Sequence, residues 1–179
     1  SLHKICADKF KVRKHIETTI GKEYLIPLIY KTNNVNSLKL ENLPKTPIAI
    51  KTNHDSSGAF LIRNINDSNI EFNEIKIKLK AQLKNNHFYS SREWQYKKIK
   101  PLILVEKLLL CDNNKVPNDF KIHCFNGIPK IVYVSIDREG SNKRNIYDID
   151  WNPLYFTWAP SNKDISNLRG NEIEKPRNY

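Results

Sequence analysis

The chain has 179 residues, of which 27% are charged and 39% hydrophobic, enough for one compact domain or two small lobes without staples and too apolar for wholesale disorder. Its formal charge of +11 is spread among Asn and Ile codon-biased stretches rather than gathered into a block or an RNP1, KH or zinc-finger motif, so it favours polyanionic partners in general and argues against a nucleic-acid role. Cys6, Cys111 and Cys124 are odd in number and widely spaced, which speaks against a disulfide framework or a zinc site and fits a reducing cytoplasm; no apolar run approaches a membrane span, and no signal peptide is visible.

In chain order, residues 8–20 place Phe10, Val12, Ile16 and Ile20 on a helical repeat, with Gly21 at the C′ position. Residues 24–30 predict a buried strand interrupted by Pro27, which makes it a sheet edge or a strand-to-loop transition. The Asn-rich stretch 32–47, with Pro44 and Pro47, reads as a connection. Residues 48–63 read as an apolar strand ending on Lys51, a polar turn from Thr52 to Gly58, and a second apolar strand. Such a tip suits phosphate: its backbone N–H groups converge on anionic oxygens and the lysine adds a point charge. Taken alone, the segment is more often an ordinary hairpin whose strand ends in lysine.

Residues 69–85 predict a helix, with Phe72, Ile75, Leu79 and Leu83 in register and Asp67 or Ser68 as N-cap. Residues 88–100 read as a loop or short helical segment, and 102–110 as a buried strand interrupted by Glu106. A carboxylate in so apolar a strand needs a partner, either a ligand amine or a lysine across the sheet. Asn126 and Gly127 between two alternating runs, 119–124 and 130–137, predict a hairpin. It would put Asp119, Lys121 and His123 on one strand face, lining a phosphate-and-metal cleft or neutralising one another in solvent. Residues 144–158 offer one or two further strands, followed by a polar tail. The five His and three Cys have no metal-ligand spacing, and neither a Walker A motif nor a nucleophile elbow is present.

Several blocks in this order carry a resemblance: Asp8, Lys9, Val12 and Arg13; Gly21 with Tyr24, Leu25, Ile26 and Pro27; Ile50, Lys51, Thr52, Asn53 and His54; Arg92, Glu93 and Trp94; Val105, Glu106 and Lys107; Asp119, Phe120 and Lys121 through Gly127; and Asp148, Asp150, Trp151 and Asn152. Over nearly its whole length the chain resembles the TupA-like ATP-grasp proteins of bacterial capsule and cell-surface polysaccharide synthesis. The resemblance implies an α+β, ATP-grasp-like fold of two small lobes with mainly antiparallel sheets and a cleft for ATP between them. The expected organisation is an N-terminal helix, strand and linker over 1–45, a small lobe over 46–100, and a hinge with a partial large lobe over 101–179.

By the same resemblance Lys9 and Lys51 reach ATP phosphates, and the tip of His54, Ser56, Ser57 and Gly58 covers them. Glu106 meets the adenine amine and the backbone of Lys107 and Leu108 the adenine edge, while Lys121 touches phosphate and Arg138 touches phosphate or acceptor. The chemistry implied is activation of a carboxylate by ATP and Mg²⁺ as an acyl phosphate, followed by amide formation on an acidic glycan or small carboxylate acceptor in the bacterial cytoplasm. Family Mg²⁺ ligands come late, as Asp, Glu and Asn on the last strands. Glu172 and Glu174 are poor candidates, so the large lobe is expected to be incomplete and the chain inactive alone. Two other readings compete. Asp148, Ile149 and Asp150 form a DxD triplet that a glycosyltransferase would use, and the net charge would serve a non-catalytic polyanion-binding module.

Overall fold

A computed structural model describes residues 1–56, 58–140 and 143–154. The backbone separates into two units, Ser1–Leu109 and Leu110–Tyr179. Helices and antiparallel sheets are combined, as the α+β expectation requires.

The first unit is built on a four-stranded antiparallel sheet. Its strands are β1 (Leu28–Thr32), β2 (Ile48–Thr52), β3 (Phe60–Ile62) and β4 (Ile103–Lys107), in the order β1-β4-β2-β3. β4 therefore lies between β1 and β2, in the same unit as they do, although a boundary at residue 101 assigns it to the second lobe. Its central position explains its apolar run: Ile103, Leu104, Val105 and Glu106 are all buried. β1 is an edge, as Pro27 suggests, and the Pro27 carbonyl accepts a hydrogen bond from Lys107 N at 3.0 Å. It starts later than expected because residues Lys22–Tyr24 form a 3₁₀ turn, and at this edge it proves largely exposed rather than buried.

Alternation sorts the sheet into two faces. Ile48, Ile50, Ile62, Ile103 and Val105 pack with Leu79 into the main core. Leu79 comes from the long helix Phe72–Lys84 and is fully buried, with Ile75 and Leu83 beside it, as the three- and four-residue spacing predicts. That helix starts three residues late, since Asp67 closes its own turn by accepting from Asn69 N at 2.9 Å. The 32–47 connection is more than a linker, because Val35, Leu38 and Leu43 fill the same core.

The opposite sheet face carries Ala49, Lys51, Leu104 and Glu106, and the N-terminal segment serves it. Two helices are found there where one was expected: α1 (Leu2–Ala7) and α2 (Val12–Thr19). Asp8 separates them. Its buried Oδ1 accepts from Phe10 N at 3.0 Å and Lys11 N at 3.2 Å, an Asx-type turn that competes with continuing helix. The chain then continues from the sheet into α3 (Phe72–Lys84), α4 (His87–Ser91) and the 3₁₀ turn Trp94–Tyr96.

The second unit is a three-stranded antiparallel meander, β5 (Asp119–Phe125), β6 (Ile128–Ile136) and β7 (Lys143–Asp148). Asn126 (φ +51°) and Gly127 (φ +78°) turn the β5–β6 hairpin where the sequence places it, with the left-handed angles of a type I′ turn. Val132, Val134 and Tyr147 form its small core against Ile136 and Trp151. The 144–158 strand expectation is met by β7 and by a bridge between Tyr147 and Pro153; residues 155–158 lie outside the described residues.

Because Leu79 is the helix's one fully buried contact with the sheet, Leu79→Ala should lower unfolding stability by about 3 kcal/mol in urea denaturation.

Candidate functional site

β4 delivers Glu106 to the sheet face away from the main core, opposite Ala49 and diagonal to Lys51. Its side chain is only 6% exposed, and both carboxylate oxygens are occupied. Oε1 accepts from Arg13 Nη1 at 3.1 Å, and Oε2 lies 2.5 Å from Lys51 Nζ. Two cations against one buried carboxylate satisfy its desolvation cost and leave a positive excess. Arg13 is fixed in turn by Nη2 donating to the Ile26 carbonyl at 2.7 Å.

Lys9 brings a second ammonium to the same neighbourhood. Its Nζ donates to the Asp55 carbonyl in the hairpin turn. Burial pushes this amino group below the ordinary lysine value of 10.5. Asp55 opposes the shift, the charge on Lys51 adds to it, and Glu106 and Asp8 oppose it further. Lys9, Lys51 and Glu106 thus feel one another's fields.

Asn53 is the residue that joins these parts. Fully buried, it accepts from Leu102 N at 2.7 Å through Oδ1 and donates from Nδ2 to Asp8 Oδ1 at 2.8 Å and to the Lys100 carbonyl at 3.1 Å. Its backbone carbonyl accepts from Lys9 N at 3.1 Å, and its N–H donates to the Leu102 carbonyl at 3.0 Å. One side chain therefore locks the lysine-bearing N-terminal turn onto the β2 terminus and the start of β4. Nearby, Thr52 Oγ1 donates to Asp55 Oδ1 at 2.5 Å and shapes the turn from below.

The other expected nucleotide residues are dispersed around this centre. His54 is buried, with Nε2 3.0 Å from the Asn85 carbonyl; it ties the hairpin tip to the end of α3, and its Nδ1 has no hydrogen-bond partner among the described residues. Donation to a carbonyl requires the Nε2–H tautomer, leaving Nδ1 as a bare acceptor, so the neutral ring has no proton there to offer an anion. Ser56 is exposed, with Oγ 3.4 Å from His87 Nε2. Gly58 has φ +90° and open space about it, the backbone freedom that a close phosphate approach needs. Ser57 lies outside the described residues. Lys107 is exposed and Leu108 buried; their N–H groups are already paired, to the Pro27 and Pro47 carbonyls at 3.0 Å each.

In the second unit, Lys121 on β5 is paired with Asp119 and lies 5.6 Å from the Tyr133 ring centroid. Arg138 is exposed just beyond β6. The DxD triplet is a structural turn. Asp148 Oδ1 accepts from Asp150 N at 2.9 Å and Asn152 N at 2.8 Å, and Oδ2 from Asn152 Nδ2 at 2.8 Å. These bonds, from the Asn152 side chain first, hold its carboxyl below the usual range. Among the described residues no three His, Cys, Asp or Glu side chains gather as metal ligands; Glu172 and Glu174 lie outside them.

Compared with known protein families, the chain is matched by the model for the TupA-like ATPgrasp family over residues 3–178. The chain belongs to the TupA-like ATP-grasp family. No curated protein and no solved structure matches it. Among the described residues of this TupA-like protein, no helix is long and apolar enough to cross a membrane. Sequence reasoning singled out Lys9, Lys51 and Glu106, but gave Asn53 and Arg13 no structural role. Arg13 meets Glu106 across 93 positions, a pairing with no local signature.

Removing the charge of Glu106 strands two cations, so Glu106→Gln should cost about 3 kcal/mol in urea denaturation. Lys9 supplies a pH signature. Its folded pKa lies below the unfolded value, so in the window between that depressed pKa and 10.5 the unfolded state holds more protons. Wild-type stability should therefore rise relative to Lys9→Met as pH climbs through that window to 10.5; a flat difference from neutral pH upward would contradict the burial of this amine.

Proposed function

We propose that this chain is the ATP-binding part of a ligase-like protein of bacterial surface polysaccharide biosynthesis, working in the cytoplasm and activating a carboxylate for amide formation. The observation that carries the reading is the Lys9, Lys51 and Glu106 convergence on one sheet face of a chain in an ATP-grasp family. In such chemistry a carboxylate oxygen attacks the γ-phosphorus of ATP and displaces ADP. An amine then attacks the acyl carbon, phosphate leaves, and the amine gives up a proton.

The chain's own contribution is electrostatic and positional. Lys51 holds one oxygen of Glu106, and Arg13 holds the other oxygen of the same carboxylate. A polyphosphate can therefore draw Lys51 away without leaving the buried carboxylate bare. Burial lowers the proton affinity of Lys9, which a bound polyanion would restore. Gly58 and the serines of the turn would supply backbone donors to phosphate. The adenine edge would meet the carbonyls after Glu106, since the N–H groups of Lys107 and Leu108 are engaged. Mg²⁺ would neutralise phosphate charge, and we assign it no ligand.

Thermal shift with Mg-ATP, a nucleotide sugar and heparin in parallel tests this reading. Mg-ATP should raise Tm, and Lys51→Met should weaken that binding at least about tenfold, or about 1.4 kcal/mol. Stabilisation by the nucleotide sugar alone would point to sugar transfer, and by heparin alone to a polyanion-binding module; either would overturn the ligase reading.

A further inference from the structure

A second cluster of titratable side chains lies in the first unit beside the turn after β2, and the reading above leaves it without a role. His87 opens α4, where Asn86 caps the helix by accepting from Phe88 N at 3.1 Å. Arg92, at φ +61°, ends α4 in the left-handed region, and Glu93 comes back to the start of the helix: its Oε1 lies 3.2 Å from His87 Nε2. Gln95 Nε2 donates to the other Glu93 oxygen at 3.0 Å. The Tyr96 ring meets the imidazole edge-on, with centroids 4.9 Å apart. Ser56 Oγ reaches the same Nε2 at 3.4 Å, from the turn whose Asp55 carbonyl accepts from Lys9.

A carboxylate only accepts, so Nε2 carries the proton and the neutral ring keeps its lone pair on Nδ1. Both hydrogen bonds of the ring among the described residues fall on Nε2, and the side chain is 21% exposed. His54 also has a bare Nδ1, but it is sealed within the fold. The surroundings of His87 carry a negative field in a chain of net charge +11. Burial raises the Tyr96 phenol above its ordinary value of 10.0, and the charges of Glu93 and then Asp55 raise it further. Such a field favours an ammonium over a phosphate.

We propose that His87 is the base that takes a proton from the amine partner of the ligation, with Nδ1 as the accepting atom and Glu93 as its positioning residue; this deepens the ligase reading and rests on it. As the amine nitrogen forms its bond to the acyl carbon, the C–O bond to phosphate breaks with its electron pair, and a proton passes from that nitrogen to Nδ1. The imidazolium so formed is stabilised by Glu93 on Nε2 and returns its proton to solvent once the amide has left. The arrangement selects its ligand by chemistry. A primary amine offers an N–H to the lone pair, whereas a polyphosphate or a carboxylate anion offers none.

Long-range proton–nitrogen NMR of the whole chain at about pH 8, above the ordinary titration of imidazole, tests the assignment, with His87→Gln identifying the signals. Wild-type His87 should show a single tautomer, protonated at Nε2 and bare at Nδ1, and Glu93→Gln should mix the two tautomers. Ethanolamine should move the Nδ1 resonance of wild type, while tetramethylammonium, a cation without an N–H, should leave it in place. An imidazolium at that pH, a proton on Nδ1, or the same response to both cations would overturn the base assignment. The Mg-ATP thermal shift is read separately: its absence from wild type would strike the ligase reading and leave the tautomer result standing.

Discussion

The buried carboxylate of Glu106 is the constraint around which the first unit is organised. A single negative charge on the central strand of an apolar sheet is tolerable only with close cations, and it gathers one from a neighbouring strand and one from a helix far away in sequence. The consequence is that the N-terminal segment cannot be a loose appendage. Arg13 attaches α2 to β4 by charge, and Asn53 attaches the turn before α2 by hydrogen bonds. The two attachments are of different physical kinds, and burial keeps salt from screening the charged one as it would a surface pair.

This arrangement also separates two jobs that a binding site must reconcile. The apolar face of the sheet fixes the geometry through Leu79 and its neighbours, while the opposite face concentrates charge at a cost in proton affinity. Excess positive charge held beside a satisfied carboxylate is an incomplete electrostatic set. An anion completes it. The same cluster holds together by its own contacts, and the proposed phosphate contact would draw on its excess charge.

Much of this was readable before any coordinates. The hairpins are written in local chemistry: Asn126 and Gly127 adopt the positive φ angles that only such residues take easily, and β2 alternates buried and half-buried positions. The α3 periodicity is equally local. Glu106 stood out because a charge inside an apolar run contradicts its surroundings. What sequence concealed is non-local. Asp8 looks like part of a helical repeat until Asn53, 45 positions away, claims its carboxylate. α1 has no buried residue, so no apolar stripe announced it. The expected caps Asp67 and Ser68 failed because Asp67 closed a turn of its own first.

The strand order has a bearing on how the molecule behaves in a crowded solution. One outer strand, β3, is only three residues long, and the other, β1, breaks its register between Leu28 and Tyr30. A short rim and a kinked rim both make poor templates for a foreign strand. The sheet that bears the charge cluster is thereby guarded against self-propagating association at either margin.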